Sequence, residues 1–502
     1  MSEQKKSFMD EQDFDALLSR SLPELPPEDI VARTVPGKKA LNRILIGYFL
    51  STFTINGLGL NLILPVIGQI LMLLGFRALQ HENRWFSACY VFAVLQAFLR
   101  FGKLILDTTI FDLPFEDPQS AANAFYIALA LQVLLTVVSL LCFWRGLRTV
   151  QKACGIRSKA IGVLALLVWN LLFCAMALLQ MRGQFFGGYT LLFLLVSLII
   201  ILWMIARQAK ALDATGYVLQ PAPVQISDRA YTLILVGLLA IGCAAGYLFF
   251  GSYAMDWRPV SATEQAATQA TKDHLRTLGL PEEVLADLAP KDLATLGDAE
   301  QVILPLEDKA IFQNDSGYDE DDIRLTNVAV LLPDDRVVFF HHFRWLKDPG
   351  FSGTEALCLN PAYEDSPWTQ VQGSEVTGRL LYDDEEGTLT ASYHSITAQT
   401  VADPIFTVVP AKDLVYASFS FPDEGEVQRG YLTYTATPSE GDQILISQMT
   451  YIHQQHRFQY PVETAEEYDA THFSYGEGTP FTDICWNRLF LEWRDGTITA
   501  VE

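Results

Sequence analysis

Residues 191–205 read LLFLLVSLIIILWMI, a run in which Ser197 is the one polar side chain. A segment without a water-facing stripe is not a surface helix of a soluble domain, and it is too long for a buried strand. Extended to Tyr189–Ile205, it reads as a helix in lipid, where roughly 20 apolar residues cross a hydrocarbon core about 30 Å thick. Working outward, Tyr231–Phe250 follows it, and Trp85–Ile105, Phe125–Trp144 and Ala160–Met181 precede it, each of spanning length. A five-helix membrane bundle is therefore expected over residues 77–255.

The earlier stretch Ile44–Phe76 is too long for one comfortable span and too short for two. Asn56-Gly57-Leu58-Gly59, Asn61 and Pro65 interrupt it, and such residues loosen or break a helix. A hairpin of two short tilted helices or a re-entrant segment over 44–76 fits better than one rod. The positive-inside rule favours the same reading. If the chain turns back, residues 1–43, 77–84, 145–159 and 207–229 share one face and carry 17 Lys and Arg, against Arg100, Lys103 and Arg182 on the other. A single crossing would give 10 on each face. Five to seven spans are expected, with a cytoplasmic tail over 1–43 and everything after the last span outside the cell. Met1–Lys39 is charged and polar, unlike a cleavable signal peptide, so the first apolar run is read as the insertion signal.

Half of the 502 residues are hydrophobic, yet the net charge is −23. The charge divides unevenly: residues 1–255 carry 20 Lys and Arg against 15 Asp and Glu, whereas 256–502 carry 15 against 43. A region at −28 repels nucleic acid, whose binding rests on Lys and Arg neutralising phosphate, so no nucleic-acid partner is expected. Proline-started segments at Pro281–Leu288 and Pro290–Leu296, after a stalk at Ala262–Leu278, predict a helical neck over 256–302. From Ile323 the period shortens to that of strands. Two runs flank Pro333-Asp334-Asp335, and Val376–Tyr382, Thr388–His394, Val415–Phe421, Tyr431–Thr437 and Ile444–Phe458 follow. An antiparallel sandwich or jelly roll is expected over 303–502.

Candidate chemistry is sparse. His341, His342, His394, His453 and His456, with Trp345, are the candidate ligand-binding residues of the outer domain. On a strand, the odd spacing of His341 from His342 and of His453 from His456 turns each pair to opposite faces, so no metal site is expected. Trp345, Tyr363, Trp368 and Trp486 form either an aromatic platform or core. Asn314–Asp322 (NDSGYDEDD) has the composition of a calcium loop without its spacing. Cys358 and Cys485 would pair only if the fold brought them together. Gly242-x-x-x-Gly246 in the last span admits a close helix neighbour, from this chain or from a second copy as a homodimer. Within the spans, Gln69, Gln96, Gln132 and Asn170 are neutral, and Arg100 and Lys103 lie near a helix end where they can snorkel. No G-x-S-x-G, G-x-x-x-x-G-K-[ST], H-E-x-x-H or G-x-G-x-x-G occurs, so no catalytic residue and no cofactor is assigned.

The stretches SRSLPELPPEDIVARTVP (19–36), ALNRILIGYFL (40–50), ILPVIGQILMLLGFRAL (63–79) and ENRWF (82–86) resemble an uncharacterised group of polytopic membrane proteins from clostridial-type Gram-positive bacteria. LGLPEEVLADLAPKDLATL (278–296) and HHFRW (341–345) look like parts of the same group. The resemblance implies a bacterial plasma membrane and brings no activity with it. The sequence is therefore expected to encode a membrane-anchored cell-surface binding or sensing protein, in contact with lipid and with an extracellular ligand or protein. A transporter or channel component whose outer domain gates or recruits is the second expectation, and a membrane-anchored extracellular hydrolase the third.

Overall fold

The computed structural model describes residues 36–53, 60–111, 118–156, 160–180, 188–213, 226–261, 269–306, 311–312, 318–351, 353–360, 368–370, 375–401, 412–422, 425–438, 443–472, 479–485, 489–494 and 497–501. Residues 1–35 of the tail, the break at 56–59, Tyr363 and Trp486 lie outside these residues, as do 314–317 of the acidic loop. The chain forms two compact units, residues 1–104 with 112–240, and 105–111 with 241–502.

Among the described residues the first unit shows seven helices: α1 Pro36–Thr52, α2 Leu60–Leu79, α3 Arg84–Leu106, α4 Pro118–Ala153, α5 Ile161–Gln180, α6 Gly188–Asp213 and α7 Asp228–Phe249, the last parts of α3 and α7 belonging to the second unit. Helices α2 to α7 are each long and apolar enough to cross a membrane. Helix α1, with 17 residues, is only ~25 Å long. It lies antiparallel along α2, and glycine makes the approach possible. A Cβ on Gly47 would sit 2.5 Å from the Gly68 carbonyl oxygen, one on Gly68 2.5 Å from that of Gly47, and one on Gly75 2.8 Å from that of Ala40. The segment 44–76 thus turns back on itself. Asn61 and Pro65 do not interrupt it as expected: α2 runs through both, because a proline early in a helix forfeits only one backbone hydrogen bond.

The basic segments gather at one end of this unit. Arg43 pairs with Asp228 at 2.7 Å and Arg77 lies over the Tyr231 ring at 4.7 Å, joining the start of α1, the end of α2 and the start of α7. Asn83 donates to the Gly146 carbonyl at 3.3 Å, and Arg145 lies over Trp85, joining the start of α3 to the last third of α4. Gly162 packs against Ile205, setting the start of α5 beside the later part of α6. Outward faces remain apolar, with Phe193, Ile199 and Leu233 all exposed, as lipid requires.

The second unit is an antiparallel two-sheet sandwich. The first sheet runs, edge to edge, through Arg258–Pro259, Gly387–Ala391, Thr377–Asp384, Glu426–Pro438, Val337–Trp345, Ile323–Leu331 and Gln301–Ile303. The second runs through Ser395–Val401, Lys412–Phe419, Glu355–Asn360, Gln443–Gln454, Phe481–Cys485 and Ile311–Phe312, with Leu489–Arg494 and Thr497–Val501 continuing from Gln443–Gln454. Phe339, Phe343, Phe419 and Tyr451 fill the space between the sheets; Tyr451 meets Phe343 and Phe419 edge to face, an arrangement aromatic quadrupoles favour, while Phe339 stacks on Tyr434. The neck helices α8 Gln269–Thr277, α9 Glu282–Asp287 and α10 Pro290–Thr295 cover the other face of the first sheet with Leu275, Val284, Leu285 and Leu293 against Val328, Val330, Val338 and Phe340. This explains why VVFFHHFRW does not alternate: both of its faces are buried. Helix α11, Ala465–Thr471, opens on a capping box between Thr464 and Glu467 and covers the second sheet through Tyr468.

Candidate functional site

In the first unit, five helices surround a cavity of about 260 Å3, near the small end of the range of about 300–1,000 Å3 usual for ligand pockets. Helix α1 contributes Tyr48, Ser51 and Thr52; α2, Gln69 and Met72; α3, Gln96 and Arg100; α4, Gln132, Thr136 and Ser139; α5, Asn170 and Cys174. Apolar side chains, Leu129, Val133, Leu166 and Phe173 among them, make up the rest of the wall. Helices that are otherwise among the most apolar in the chain turn their few polar side chains to one volume. Phase explains this arrangement, since Gln132, Thr136 and Ser139 lie three and four residues apart and therefore share one stripe of α4.

Most of these groups tie neighbouring helices together. The Gln69 amide donates to the Ala93 carbonyl at 2.9 Å, Asn170 Nδ2 donates to the Tyr48 hydroxyl at 2.9 Å, and the Gln96 amide donates to Thr136 Oγ1 at 3.4 Å. Ser51 and Arg100 are among those left over. Ser51 Oγ is buried and has no hydrogen-bond partner among the described residues. Arg100 has neither a hydrogen bond nor an ion pair to any described residue, and the wall contains no carboxylate. An arginine at the centre of a lone membrane helix costs about 2.5–3.5 kcal/mol on the insertion scale. Arg100 lies ~24 Å along α3 from Arg84, as near the helix end as the sequence implies, yet it lines the cavity.

The residues singled out in the outer domain do not form one site. His341 is fully buried between the sheets, with Nδ1 2.7 Å from Asn327 Oδ1 and Nε2 2.8 Å from Ser447 Oγ, which meets the Tyr434 hydroxyl at 2.7 Å. The neutral ring satisfies this chain when Nδ1 donates to Asn327 and Ser447 donates to Nε2, and burial pulls its pKa down to about 3. His342 points to the opposite face and meets Asp287 Oδ2 at 2.8 Å, while Arg429 Nε donates to Asp287 Oδ1 at 2.9 Å. Burial opposes the charge on Asp287, but His342 and Arg429 outweigh it and hold the carboxyl below its usual range. His453 is buried with Nδ1 2.9 Å from Glu355 Oε2, and burial pushes Glu355 up. Trp345 is buried and donates to the Tyr451 hydroxyl at 3.3 Å. His394 is exposed and stacks on Tyr253 at 4.4 Å, and His456 is exposed beside a shallow groove lined by Phe351, Arg457 and Phe458. Among the described residues no three His, Cys, Asp or Glu side chains gather as metal ligands do.

Register also separates the two cysteines. Cys358 and Cys485 both face Thr450 from opposite sides. Two strand spacings put them ~10 Å apart, beyond the ~7 Å a disulfide reaches, and Cys358 is not in a disulfide. Gly242 and Gly246 are used within the chain: Cβ atoms there would meet Ile105 and Thr108. Within the second unit, residues 105–111 and the end of α7 meet segment 459–462. Val462 N donates to the Asp107 carbonyl at 2.8 Å, Tyr460 donates to Asp107 Oδ2 at 3.3 Å, and Tyr247 of α7 donates to the Gln459 carbonyl at 2.5 Å.

No family model and no curated protein matches the chain. Among solved structures it is similar to a collagen-binding domain from a Staphylococcus aureus adhesin, at 11% identity and a TM-score of 0.17, over 27% of this chain and 89% of that one. It is also similar to a pore forming protein, at 9% identity and a TM-score of 0.15, over 39% and 100%, and to Clostridium perfringens delta-toxin, at 9% and 0.17, over 41% and 99%. Likenesses this weak carry no argument about fold or role.

Proposed function

We propose that this is a multi-pass membrane sensor whose helical bundle binds a small molecule in the cavity between α1 and α5. The observation that carries the reading is the convergence of polar groups from five helices on one volume, with Ser51 Oγ left unpartnered. Polar side chains inside a membrane are expensive, and packing alone does not require five helices to spend theirs in one place. Sensing is preferred to transport because α3 carries Gln96 and Arg100 in the wall and, seven residues beyond Arg100, Asp107, which the outer-domain segment 460–462 grips. A shift of α3 on binding would therefore reach the outer domain through that grip. A coupled transporter is the weaker reading, since the wall offers no carboxylate or histidine to carry a proton. The gathering of basic segments at one end supports an orientation in the plasma membrane with that end cytoplasmic and the β domain outside.

Full-length protein in nanodiscs tests the reading. Native mass spectrometry is expected to show a co-purifying molecule of defined mass on the wild type and none on Thr136→Phe, which fills the cavity, at unchanged melting temperature. The same complement of bound mass on both proteins would overturn it.

A further inference from the structure

Beyond the presence of a ligand, the charge of the cavity wall says what kind it is. We propose that the bundle cavity binds an anionic amphiphile, a carboxylate or phosphate head on an apolar chain, with Arg100 as its charge partner; this rests on the sensor reading above.

Arg100 differs from six other arginines of its unit, while Arg229 at the start of α7 is exposed. Arg43 and Arg77 face Asp228, Arg145 and Arg84 lie over Trp85, Arg148 over Trp144 and Arg207 over Trp203. Each of these six cations has a carboxylate or an aromatic face beside it, at the end of the unit where water and headgroups would meet it. Arg100 has neither among the described residues, and the wall it belongs to contains no Asp or Glu. A desolvated guanidinium is stable beside a counter-anion, and its fork matches a carboxylate or phosphate oxygen pair. A site whose protein atoms supply the cation but no anion leaves that part to the ligand.

The hydrogen-bonding capacity has the same sign. Ser51 Oγ has a hydrogen to give and no acceptor among the described residues, and Arg100 adds its guanidinium N–H groups. These donors suit oxygens that only accept, as ionised carboxylate and phosphate do. The rest of the wall calls for something apolar attached to that head. Leu129, Val133, Leu166 and Phe173 offer no hydrogen bond, and water held against them would lack the two to four polar partners it needs. A bare inorganic anion leaves this part of the cavity unfilled, and a neutral lipid leaves Arg100 uncompensated. A head with a chain satisfies both.

Two sources share this chemistry: an anionic phospholipid of the surrounding bilayer and a free fatty acid. Full-length protein is placed in phosphatidylcholine nanodiscs, and binding of palmitate, of hexadecanol as its neutral analogue and of inorganic phosphate is followed by native mass spectrometry and by shift of melting temperature. A parallel set of nanodiscs carries phosphatidylglycerol. Palmitate or phosphatidylglycerol is expected to bind at least tenfold more tightly than hexadecanol, and whichever of the two does so identifies the source. Arg100→Gln is expected to abolish that preference while leaving hexadecanol binding unchanged, and Arg100→Lys to retain part of it. Equal affinity for palmitate, phosphatidylglycerol and hexadecanol, or an undiminished preference in Arg100→Gln, overturns the anion proposal while the cavity reading stands. Phosphate binding as tightly as palmitate overturns the amphiphile. No Thr136-dependent binding of any probe overturns the cavity reading itself.

Discussion

The two units handle buried charge differently. In the β domain the buried carboxylates are answered within the protein, Asp287 by His342 and Arg429, which also meets Asp383, and Glu355 by His453, although His342 Nδ1, His453 Nε2 and Thr433 Oγ1 find no partner among the described residues. The bundle has far fewer polar groups, leaves Ser51 Oγ unmatched, and gives Arg100 no partner among the described residues. A closed network holds a fold in one arrangement, whereas an open one has capacity left for something else. Histidine-rich strands drew attention in the sequence because titratable residues are conspicuous. The contrast shows that the useful signal is the unmatched group rather than the reactive type.

This contrast can be broken at several points. The largest effect is expected from Asp287→Ala, which strands Arg429 and His342 between the neck and the first sheet. Loss of one partner from a buried pair costs about 3–5 kcal/mol, so hydrogen exchange in 282–296 and 337–345 should rise sharply while the helical spans stay protected. Unchanged exchange would mean that the network does not hold the neck.

In the bundle, Gly68→Leu is expected to cost about 3 kcal/mol, the upper end of the overpacking range, because the added Cβ would lie 2.5 Å from both the Gly47 oxygen and Ser51 Oγ. Gly237, with nothing within 4 Å of its Cβ position, should accept alanine without loss. Melting of the two variants in detergent compares them.

The smallest effect is one of pH. The His341 ring is depressed on folding, so its contribution is complete above the unfolded value of 6.5 and is lost as pH falls toward about 3. At pH 5 the loss is about 2 kcal/mol, and His341→Gln should flatten the melting curve between pH 6.5 and 5. Glu355, raised on folding, works in the other direction: its contribution is complete below 4.5 and is lost as pH rises and it ionises. A wild-type melting temperature that is flat below pH 6.5 would show His341 to be hydrated rather than enclosed.

Much of the architecture was legible because it depends on local pattern. Span length is a one-dimensional property, and Trp85–Ile105 became Arg84–Leu106 while Tyr231–Phe250 became Asp228–Phe249. The turn-back of 44–76 was legible through charge, since the Lys and Arg residues segregate to one face only if that segment returns. Opposite faces for His341 and His342 followed from strand geometry. The cavity was not legible, although Gln69, Gln96, Gln132 and Asn170 were each visible as neutral residues in apolar helices. Their convergence depends on the rotation of four helices about their own axes and on which helices are neighbours, and neither is written in any one segment. Arg100 was misjudged for the same reason: nearness to a helix end says how far a side chain must reach, not which way it faces.

The grip of segment 459–462 on Asp107 and Tyr247 has a consequence for how the protein is made. Tyr460 and Asp107 are 353 positions apart, so a ribosome has nearly finished the chain before the end of α3 can meet its partner. Until then the end of α3 lacks its outer contacts, and a chain truncated in the β domain never acquires them. Contacts so distant in sequence form late. They make completion of the β domain the step that closes the second unit around residues 105–111, and they offer cellular quality control a surface that distinguishes finished molecules from unfinished ones.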